Sequence, residues 1–274
     1  MITFPNCKIN LGLRVLSKRA DGYHNLETVF VPVPFEDCLE IEKAQGESSL
    51  AVSGLIVDGP TENNLCWKAY QLMKDEFRLP AIDIHLHKQI PSGAGLGGGS
   101  SDAAFTLKLL NEKFRLQQSN DDLLKLAAKL GSDCPFFIIN TPCIGRGRGE
   151  QLEPLQLPQL QELFGIIVLP PIHISSAWAF QQLTPKEPAV PLVQLLQRPI
   201  QDWREELIND FEKPVFNFHP KLREIKDQLY DAGATYASMS GSGAAIYGLF
   251  KKMPEITFDS SFTVKSFAFK KVDN

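Results

Sequence analysis

The sequence lacks the features that mark secreted, membrane-spanning and nucleic-acid-binding proteins. Its 28 Lys and Arg residues do not outnumber its 32 Asp and Glu residues, and a net charge of −4 leaves no general basic surface for nucleic acid. The longest apolar runs, at residues 136–139 and 166–169, are far too short to span a membrane. Residues 1–6 are not a basic stretch followed by an apolar one, so we expect no secretion signal.

Cysteine is also scarce, and its spacing does not suggest a disulfide framework. The five cysteines form no C-x-x-C pair, and an odd number leaves one unpaired in any pairing scheme. We therefore expect reduced thiols and a cytoplasmic protein.

What is present is the composition of an ordinary folded protein. Hydrophobic residues make up 43% and charged residues 22% of the 274 residues, which allows a sizeable core in one large or two medium-sized domains. The amino-acid composition changes near residues 153–158, where Pro154 and Pro158 interrupt a run rich in leucine and glutamine. We place a domain boundary there, which gives domains of residues 1–155 and 156–274.

The hydrophobic pattern switches between the strand period and the helix period along the chain. Strands are predicted at residues 8–15, 28–33, 38–41, 81–90, 136–139, 163–169, 245–250 and 262–269. Helices are predicted at residues 61–77, 101–114, 120–130 and 221–232. Thr61 and Asn120 are the expected N-caps of the first and third helices, and Gly131 is the expected stop of the third.

A glycine-rich loop lies between a predicted strand and a predicted helix. Five of the seven residues from 93 to 99 are glycine, which is costly for a mere turn because glycine loses the most conformational freedom on folding. Glycines let backbone N–H groups approach an anion, and the following helix N-terminus adds partial positive charge. The residues that we assign to phosphate binding are Pro91, Ser92, Gly93, Ala94, Gly95, Leu96, Gly97, Gly98, Gly99, Ser100 and Ser101.

Two other glycine-loop families fit this segment less well. Gly93, Gly95 and Gly98 satisfy G-x-G-x-x-G, but a dinucleotide fold needs a second strand about 20 residues later. Residues 120–130 stand there and are predicted to be helical. A Walker A loop is excluded because Gly99 occupies the place of its lysine.

Three segments together resemble the signature motifs of the GHMP kinase superfamily: NCKINLGL at residues 6–13, the loop at 91–104, and SMSGSGAA at 238–245. RADGYH at 19–24 and LGSDCP at 130–135 are similar to members that phosphorylate a cytidine diphosphate-linked alcohol in the non-mevalonate isoprenoid pathway. The resemblance covers essentially the whole chain and is weakest between residues 186 and 220.

The resemblance implies a fold and an activity. It implies an α+β protein with an N-terminal domain like ribosomal protein S5 domain 2, a C-terminal ferredoxin-like domain, and the site in the cleft between them. It implies ATP-dependent phosphorylation of the 2-hydroxyl of a small, cytidine diphosphate-linked substrate. Mg²⁺ is expected to be held mainly by phosphates and water, so we assign no metal-ligating residues.

The resemblance assigns catalysis to Lys8 and Asp133. A carboxylate at Asp133 would accept the hydroxyl proton as the phosphoryl group is transferred. Lys8 lies among apolar neighbours on a predicted strand and needs an anionic partner, which the resemblance makes Asp133. Taken without the family, Asp133 also fits a turn or a helix cap, and Lys8 also fits the solvent face of its strand.

The resemblance also assigns the two substrate sides. Tyr23 and His24 match residues that hold the cytidine, and cytosine would lie between Tyr23 and Phe180. Asp21-Gly22 is itself a turn signal, so the same segment also fits a surface hairpin. The remaining assignments are Asn10, Gly241 and Gly243 for the substrate, and Asn64 and Leu65 for ATP.

Two further patterns do not favour function. Asp83, His85 and His87 share one strand face, for which a solvated surface is the better interpretation than a metal site. Residues 145–149, GRGRG, favour a turn over an anion or RNA tag, although the arginines remain candidates for the substrate's diphosphate.

Alternatives remain from two classes. One is another GHMP kinase, of the mevalonate or homoserine type, and the other is a nucleotide-binding sensor without catalysis. A dehydrogenase is a more distant alternative.

Overall fold

The structure is a computed structural model that describes residues 1–269. Within this range the strands are β1 (Ile2–Thr3), β2 (Asn6–Lys18), β3 (His24–Glu36), β4 (Cys38–Lys43), β5 (Ser49–Gly54), β6 (Ile82–Lys88), β7 (Cys143–Arg146), β8 (Gln151–Pro154), β9 (Phe164–Leu169), β10 (Tyr236–Met239), β11 (Ile246–Phe250) and β12 (Thr263–Ala268). The α-helices are α1 (Leu65–Phe77), α2 (Gly98–Lys113), α3 (Asn120–Leu130), α4 (Cys134–Ile139), α5 (Ser176–Gln181), α6 (Leu192–Leu196), α7 (Trp203–Glu206), α8 (Glu212–Phe218) and α9 (Pro220–Asp231). These mixed helices and sheets confirm the predicted α+β class.

The chain divides into two compact units that interleave along the sequence. The first unit contains Met1–Cys7, Phe35–Ser92 and Gly97–Thr141. The second contains Lys8–Pro34, Gly93–Leu96 and, within the described residues, the chain from Pro142 onward. The domain division at residues 155 and 156 remains a prediction.

The first unit is built on a four-stranded sheet in the order β1-β4-β6-β5. β4 pairs with β6 antiparallel, and β5 pairs with β6 parallel. In β6 the period-2 pattern buries Ile82, Ile84 and Leu86. The opposite face is partly or fully exposed, and there Ser49 of β5 donates to Asp83. This supports the interpretation of the Asp83, His85 and His87 face as a solvated one.

The helices of the first unit correct three sequence-based expectations. The first helix begins at Leu65, and the side chain of Asn64, not Thr61, caps it by accepting from the Cys66 N–H at 2.9 Å. Ser119, not Asn120, caps α3, because its hydroxyl accepts from the Asp122 N–H.

The third correction concerns residues 136–139, which were predicted as a strand and lie in helix α4. A short, fully buried apolar run carries no periodicity that separates a strand from a helix. The N-terminal position of Pro135 within α4 is the local signal that favours the helix, because proline is well tolerated in a first turn.

The second unit contains two four-stranded sheets, in the orders β2-β3-β7-β8 and β10-β11-β9-β12. Leu222, Ile225 and Leu229 are spaced by three and four residues on α9, and all three are fully buried in a core that includes Val168 and Met239. Helical spacing of apolar residues therefore fixes the face of α9 that packs on β10 and β11. The predicted strands near β9, β11 and β12 and the predicted helix near α9 are all confirmed, with ends shifted by at most one residue.

None of the five cysteines, all of which lie within residues 1–269, forms a disulfide. No helix in this part of the chain is both long and apolar enough to cross a bilayer.

Candidate functional site

The glycine loop joins the end of β6 to the start of α2. Gly93, Gly95 and Gly97 have φ of +70°, +79° and +71°, which is the left-handed region that glycine enters without a steric penalty. α2 begins at Gly98, so its unpaired N–H groups follow directly on the loop. The buried Ser101 hydroxyl has no hydrogen-bond partner in the described part of the chain. These features make the loop suited to hold an anion.

Lys8 is buried on β2, with 3% of its surface exposed. Its ammonium donates to Asn10 Oδ1 at 2.7 Å and to the carbonyl oxygen of Gly95 at 2.9 Å. It also lies 5.4 Å from the centre of the Phe30 ring. The alternative of a solvent-facing Lys8 is therefore wrong, and the ammonium is fixed against the backbone of the glycine loop.

Asn10 holds this arrangement from the same strand. It is 1% exposed, and its amide donates to the Thr28 hydroxyl at 2.9 Å while its Oδ1 accepts from Lys8. Its backbone carbonyl accepts from the Tyr247 hydroxyl at 2.6 Å. Asn10 thus orients the ammonium, and its contact with substrate remains a prediction.

The loop at residues 238–243 lies directly against the glycine loop. Ser240 Oγ donates to the Gly95 carbonyl at 2.8 Å, and the Ala245 N–H donates to the Ala94 carbonyl at 3.0 Å. A Cβ on Gly95 would lie 2.0 Å from the Ser240 carbonyl oxygen, and a Cβ on Gly241 would lie 3.1 Å from Gly95 Cα. Glycine is therefore required at this approach, where a side chain would push the two loops apart.

Asp133 occupies the N-cap position of α4, but its side chain does not cap the helix. It is half-buried, and the fully buried Cys134 follows it. Burial raises the pKa of the Cys134 thiol to about 12, so this cysteine stays uncharged beside the carboxylate. The pairing of Asp133 with Lys8 remains a prediction.

The aromatic residues assigned to cytidine lie in the second unit. Asp21 and Gly22 form the predicted turn, with Gly22 at φ +87°. The His24 ring stacks on Phe180 with centroids 5.0 Å apart and 12° between planes. The Tyr23 side chain is exposed, and the Arg148 guanidinium lies 5.0 Å from its ring centre. Phe180 thus stacks on His24, and the placement of cytosine between Tyr23 and Phe180 remains a prediction.

Arg146 and Arg148 lie in and just after β7, and the turn predicted for this segment is present. Arg146 forms an ion pair with Glu153 at 3.0 Å. Arg148 lies over the Tyr23 ring. Arg148 is therefore better placed than Arg146 to act beside the residues assigned to cytidine.

The ATP-side assignments Asn64 and Leu65 lie at the start of α1. Asn64 caps that helix through its side chain. Leu65 Cδ1 lies 3.7 Å from the place where a Cβ on Gly99 would stand. Leu65 therefore faces the start of α2, and its contact with adenine remains a prediction.

Sequence reasoning missed a buried charged cluster at the base of the glycine loop, formed by Lys88, Asp37 and Asp102. Lys88 donates to Asp37 and, at 2.7 Å, to Asp102, and these three side chains are at most 4% exposed. Asp37 also accepts from the backbone N–H groups of Gln89 and Ile90. The cluster thus links Lys88, Gln89 and Ile90, which come just before the glycine loop, to Asp102, which comes just after it.

The electrostatics of the cluster are set by one ammonium between two carboxylates. Burial, which the attraction of Lys88 opposes and the charge of Asp37 reinforces, raises the pKa of Asp102 from its ordinary 3.8 to about 7. Burial disfavours the charged form of Lys88, but the two carboxylates outweigh it and raise its pKa. The signal that identifies Lys88 is the alternation of β6, since position 88 continues the buried face of Ile84 and Leu86.

No group of three or more His, Cys, Asp and Glu side chains within residues 1–269 is arranged to hold a metal ion.

Comparisons with known proteins assign the family. Residues 64–141 match the N-terminal domain of the GHMP kinases, and residues 192–256 match their C-terminal domain. The chain is 51% identical to 4-diphosphocytidyl-2-C-methyl-D-erythritol kinase of Bacteroides thetaiotaomicron, over 98% of this chain and 99% of that protein. It is 49% identical to the protein of the same name from Bacteroides fragilis, over 96% and 97% of the two chains.

Solved structures agree with this assignment. A crystal structure of 4-(cytidine 5'-diphospho)-2C-methyl-D-erythritol kinase superposes with a TM-score of 0.77 at 33% identity, covering 91% of this chain and 90% of that one. Mevalonate kinase of Methanococcus jannaschii has a TM-score of 0.73 at 13% identity, over 99% and 98% of the chains, which shows a shared fold. The chain therefore belongs to the GHMP kinases and, within them, to the 4-diphosphocytidyl-2-C-methyl-D-erythritol kinase family.

Proposed function

We propose that this chain transfers the γ-phosphoryl group of MgATP to the 2-hydroxyl of 4-diphosphocytidyl-2-C-methyl-D-erythritol. The observation that carries the proposal is the contact of the buried Lys8 ammonium with the Gly95 carbonyl, which fixes a positive charge at the glycine loop. Near full-length relatives that bear this substrate in their names support the choice of acceptor.

The chemistry follows from the charges that such a transfer moves. The oxygen of the 2-hydroxyl forms a bond to the γ-phosphorus as the bond from that phosphorus to the ADP oxygen breaks. The hydroxyl proton passes to the carboxylate of Asp133. The ammonium of Lys8 stabilises the negative charge that develops on the attacking oxygen, and the loop N–H groups do the same for the phosphates. Mg²⁺ would come with the nucleotide, held by its phosphates and by water, and would supply further neutralisation of the phosphate charge.

The cytidine end is recognised by flat and cationic groups of the second unit. The stacked pair of His24 and Phe180 offers an aromatic face, and Tyr23 offers a second one that Arg148 lies beside. Arg148 also supplies a guanidinium for the diphosphate. Mevalonate and homoserine have neither a base nor a diphosphate, so these groups favour the cytidylylated substrate over both. We place the reaction in the cytoplasm, where ATP and reduced thiols are available.

Turnover by the purified protein tests the proposal. We expect phosphorylation of the cytidylylated alcohol with MgATP and little turnover of mevalonate or homoserine. Asp133→Asn removes the proton acceptor and keeps the shape of the side chain, so we expect kcat to fall about 10²–10⁴-fold with nucleotide binding retained. Asp122→Asn, near the start of α3, is the matched control because that side chain is 45% exposed, and it should keep wild-type turnover.

Each alternative has its own outcome in this experiment. Preference for mevalonate or homoserine would assign the chain to another GHMP activity. Nucleotide binding without turnover of any acceptor would favour a sensor. Wild-type kcat in Asp133→Asn would refute the role of that carboxylate.

A further inference from the structure

The segment from residue 207 to residue 212 has no periodic sequence pattern, yet it contains two buried polar side chains. Asn209 is 0% exposed and Glu212 is 7% exposed. A buried amide or carboxylate is costly unless its polar atoms find partners. The partners of these two side chains therefore indicate what the segment is built to hold.

Asn209 bonds to the loop at residues 238–243. Its Nδ2 donates to the carbonyl oxygens of Met239 at 2.7 Å and of Gly241 at 2.8 Å. Its Oδ1 accepts from the Phe211 N–H at 3.0 Å. Both N–H bonds of one amide thus bind carbonyls two residues apart, which fixes the bend of the backbone at Ser240.

Glu212 binds the same loop from the start of α8. Its Oε1 accepts from the Met239 N–H at 2.8 Å and from the Ser238 hydroxyl at 3.1 Å. Its Oε2 accepts from Lys226 at 2.7 Å. Asn209 and Glu212 therefore hold both the carbonyl and the N–H group of Met239.

The residue held between these contacts is Ser240, which reaches the glycine loop. It is fully buried, and its hydroxyl donates to the Gly95 carbonyl at 2.8 Å. The same carbonyl accepts from Lys8 at 2.9 Å. Hydrogen bonds from Asn209 and Glu212 thus hold the residues on either side of Ser240, and the Ser240 hydroxyl bonds to the carbonyl that fixes Lys8.

We propose that Asn209 and Glu212 are positioning residues for phosphoryl transfer. They hold the loop at residues 238–243 at the distance at which Ser240 supports the Gly95 carbonyl, and through it they set the position of the Lys8 ammonium. A misplacement of about 1 Å at a reacting group lowers turnover by about a hundredfold. The activity readout of this inference rests on the proposed kinase function.

Asn209→Asp is the direct test. It keeps the size of the side chain and the acceptor for Phe211, but it places an oxygen against the carbonyls of Met239 and Gly241. We expect kcat to fall about a hundredfold. The KM for the cytidylylated substrate stays within about threefold of wild type, because the new carboxylate keeps the acceptor for the Phe211 N–H, and the Phe211 ring packs against Phe180 with centroids 4.9 Å apart.

Tyr230→Phe is the matched control for loss of stability alone. The Tyr230 hydroxyl donates to the Ala237 carbonyl at 3.2 Å and accepts from the Ala237 N–H at 3.1 Å, so the change removes two hydrogen bonds to the strand that precedes the loop. We expect a lower Tm with wild-type kcat. A kcat loss in Tyr230→Phe equal to that in Asn209→Asp would overturn the proposal, as would wild-type kcat in Asn209→Asp.

A second pair of variants covers the case in which Asn209→Asp does not fold. Glu212→Gln keeps the acceptor for Met239 and Ser238 and should keep kcat within about threefold of wild type. Glu212→Leu removes it and should lower kcat about a hundredfold. Equal kcat in these two variants contradicts a positioning role for Glu212.

If the wild type phosphorylates no acceptor, the proposed function fails and the positioning role is judged by hydrogen exchange. The peptide covering residues 238–245 should then exchange faster in Asn209→Asp than in Tyr230→Phe. Each variant is measured at a temperature the same number of degrees below its own Tm. Equal exchange in the two variants would refute the positioning role itself.

Discussion

Asp102→Asn should remove most of the pH dependence of stability that the buried cluster of Lys88, Asp37 and Asp102 confers on the protein. One ammonium faces two carboxylates there, so full ionisation leaves one uncompensated negative charge in a buried place. Protonation of Asp102 neutralises the cluster, and burial, reinforced by the charge of Asp37, raises the pKa of Asp102 to about 7. Cys66 also faces the cluster, but burial raises its thiol pKa and it stays uncharged.

The sign and size of the effect follow from the two pKa values of Asp102, about 7 when folded and 3.8 as the ordinary value in an unfolded chain. Between them the folded state holds one more proton than the unfolded state, so the free energy of unfolding falls as the pH rises. The slope is at most about 1.4 kcal/mol per pH unit. From pH 5 to pH 8 the wild type therefore loses roughly 2.5 kcal/mol through this one group.

Asparagine resembles the protonated acid at this position. Its carbonyl accepts from Lys88 as the carboxylate does, and its amide supplies a donor without adding charge. We expect Asp102→Asn to be about as stable as the wild type at pH 5 and more stable at pH 8. A difference of roughly 2.5 kcal/mol corresponds to about 5–10 °C in Tm for a chain of this size.

Thermal unfolding followed by circular dichroism at half-unit pH steps from 5 to 8 measures this. Asp122→Asn is the control, because Asp122 is exposed and its hydrogen bond from Ser119 and contact with Lys125 hold its pKa below 3.8. That carboxylate is ionised in the folded and the unfolded state throughout this pH range. The plot of Tm against pH for Asp122→Asn should therefore run parallel to that of the wild type. Parallel curves for Asp102→Asn and the wild type would refute the reasoning.

Two further variants test the packing of the site. Gly95→Ala places a Cβ 2.0 Å from the Ser240 carbonyl oxygen, at a residue with φ +79°, so we expect kcat to fall at least a hundredfold. Gly46→Ala is the control, because a Cβ there would meet nothing within 4 Å, and its kcat should equal that of the wild type. Phe180→Leu keeps an apolar side chain but loses the ring stacked on His24. The KM for the cytidylylated substrate should therefore rise about tenfold, with the KM for ATP unchanged. Equal changes in the two KM values would contradict a role of Phe180 in base recognition.

Local sequence signals located the parts of the site that depend on neighbours in the chain. The glycine content of residues 93–99 identified a loop in left-handed conformations, because only glycine enters that region freely. The alternation of β6 identified its buried face, since this period is set by backbone geometry. The observed N-caps differ from the predicted ones: Asn64 lies three residues after Thr61, and Ser119 lies one residue before Asn120. Several residues near each helix start can accept a hydrogen bond from an N–H of the first turn, so the sequence does not single out one cap.

Other features have no local signal. The run at residues 136–139 is apolar throughout, so its helical form depended on the elements that bury it. Asn209 and Glu212 stand about 30 residues from the loop that they hold, and no spacing rule connects them to it. Asp37 and Asp102 are separated from Lys88 by 51 and 14 residues.

The sequence by itself therefore determined the position of the glycine loop and the family of the chain, since these reside in contiguous motifs. The burial of Lys8 was decided by the tertiary structure. The tertiary structure alone decided which side chains share a buried hydrogen bond. It brought Lys8, Ser240 and Gly95 together and placed Asn209 behind them. The physical reason is that burial of a polar group demands a partner, but the chain can supply that partner from any distance along its length.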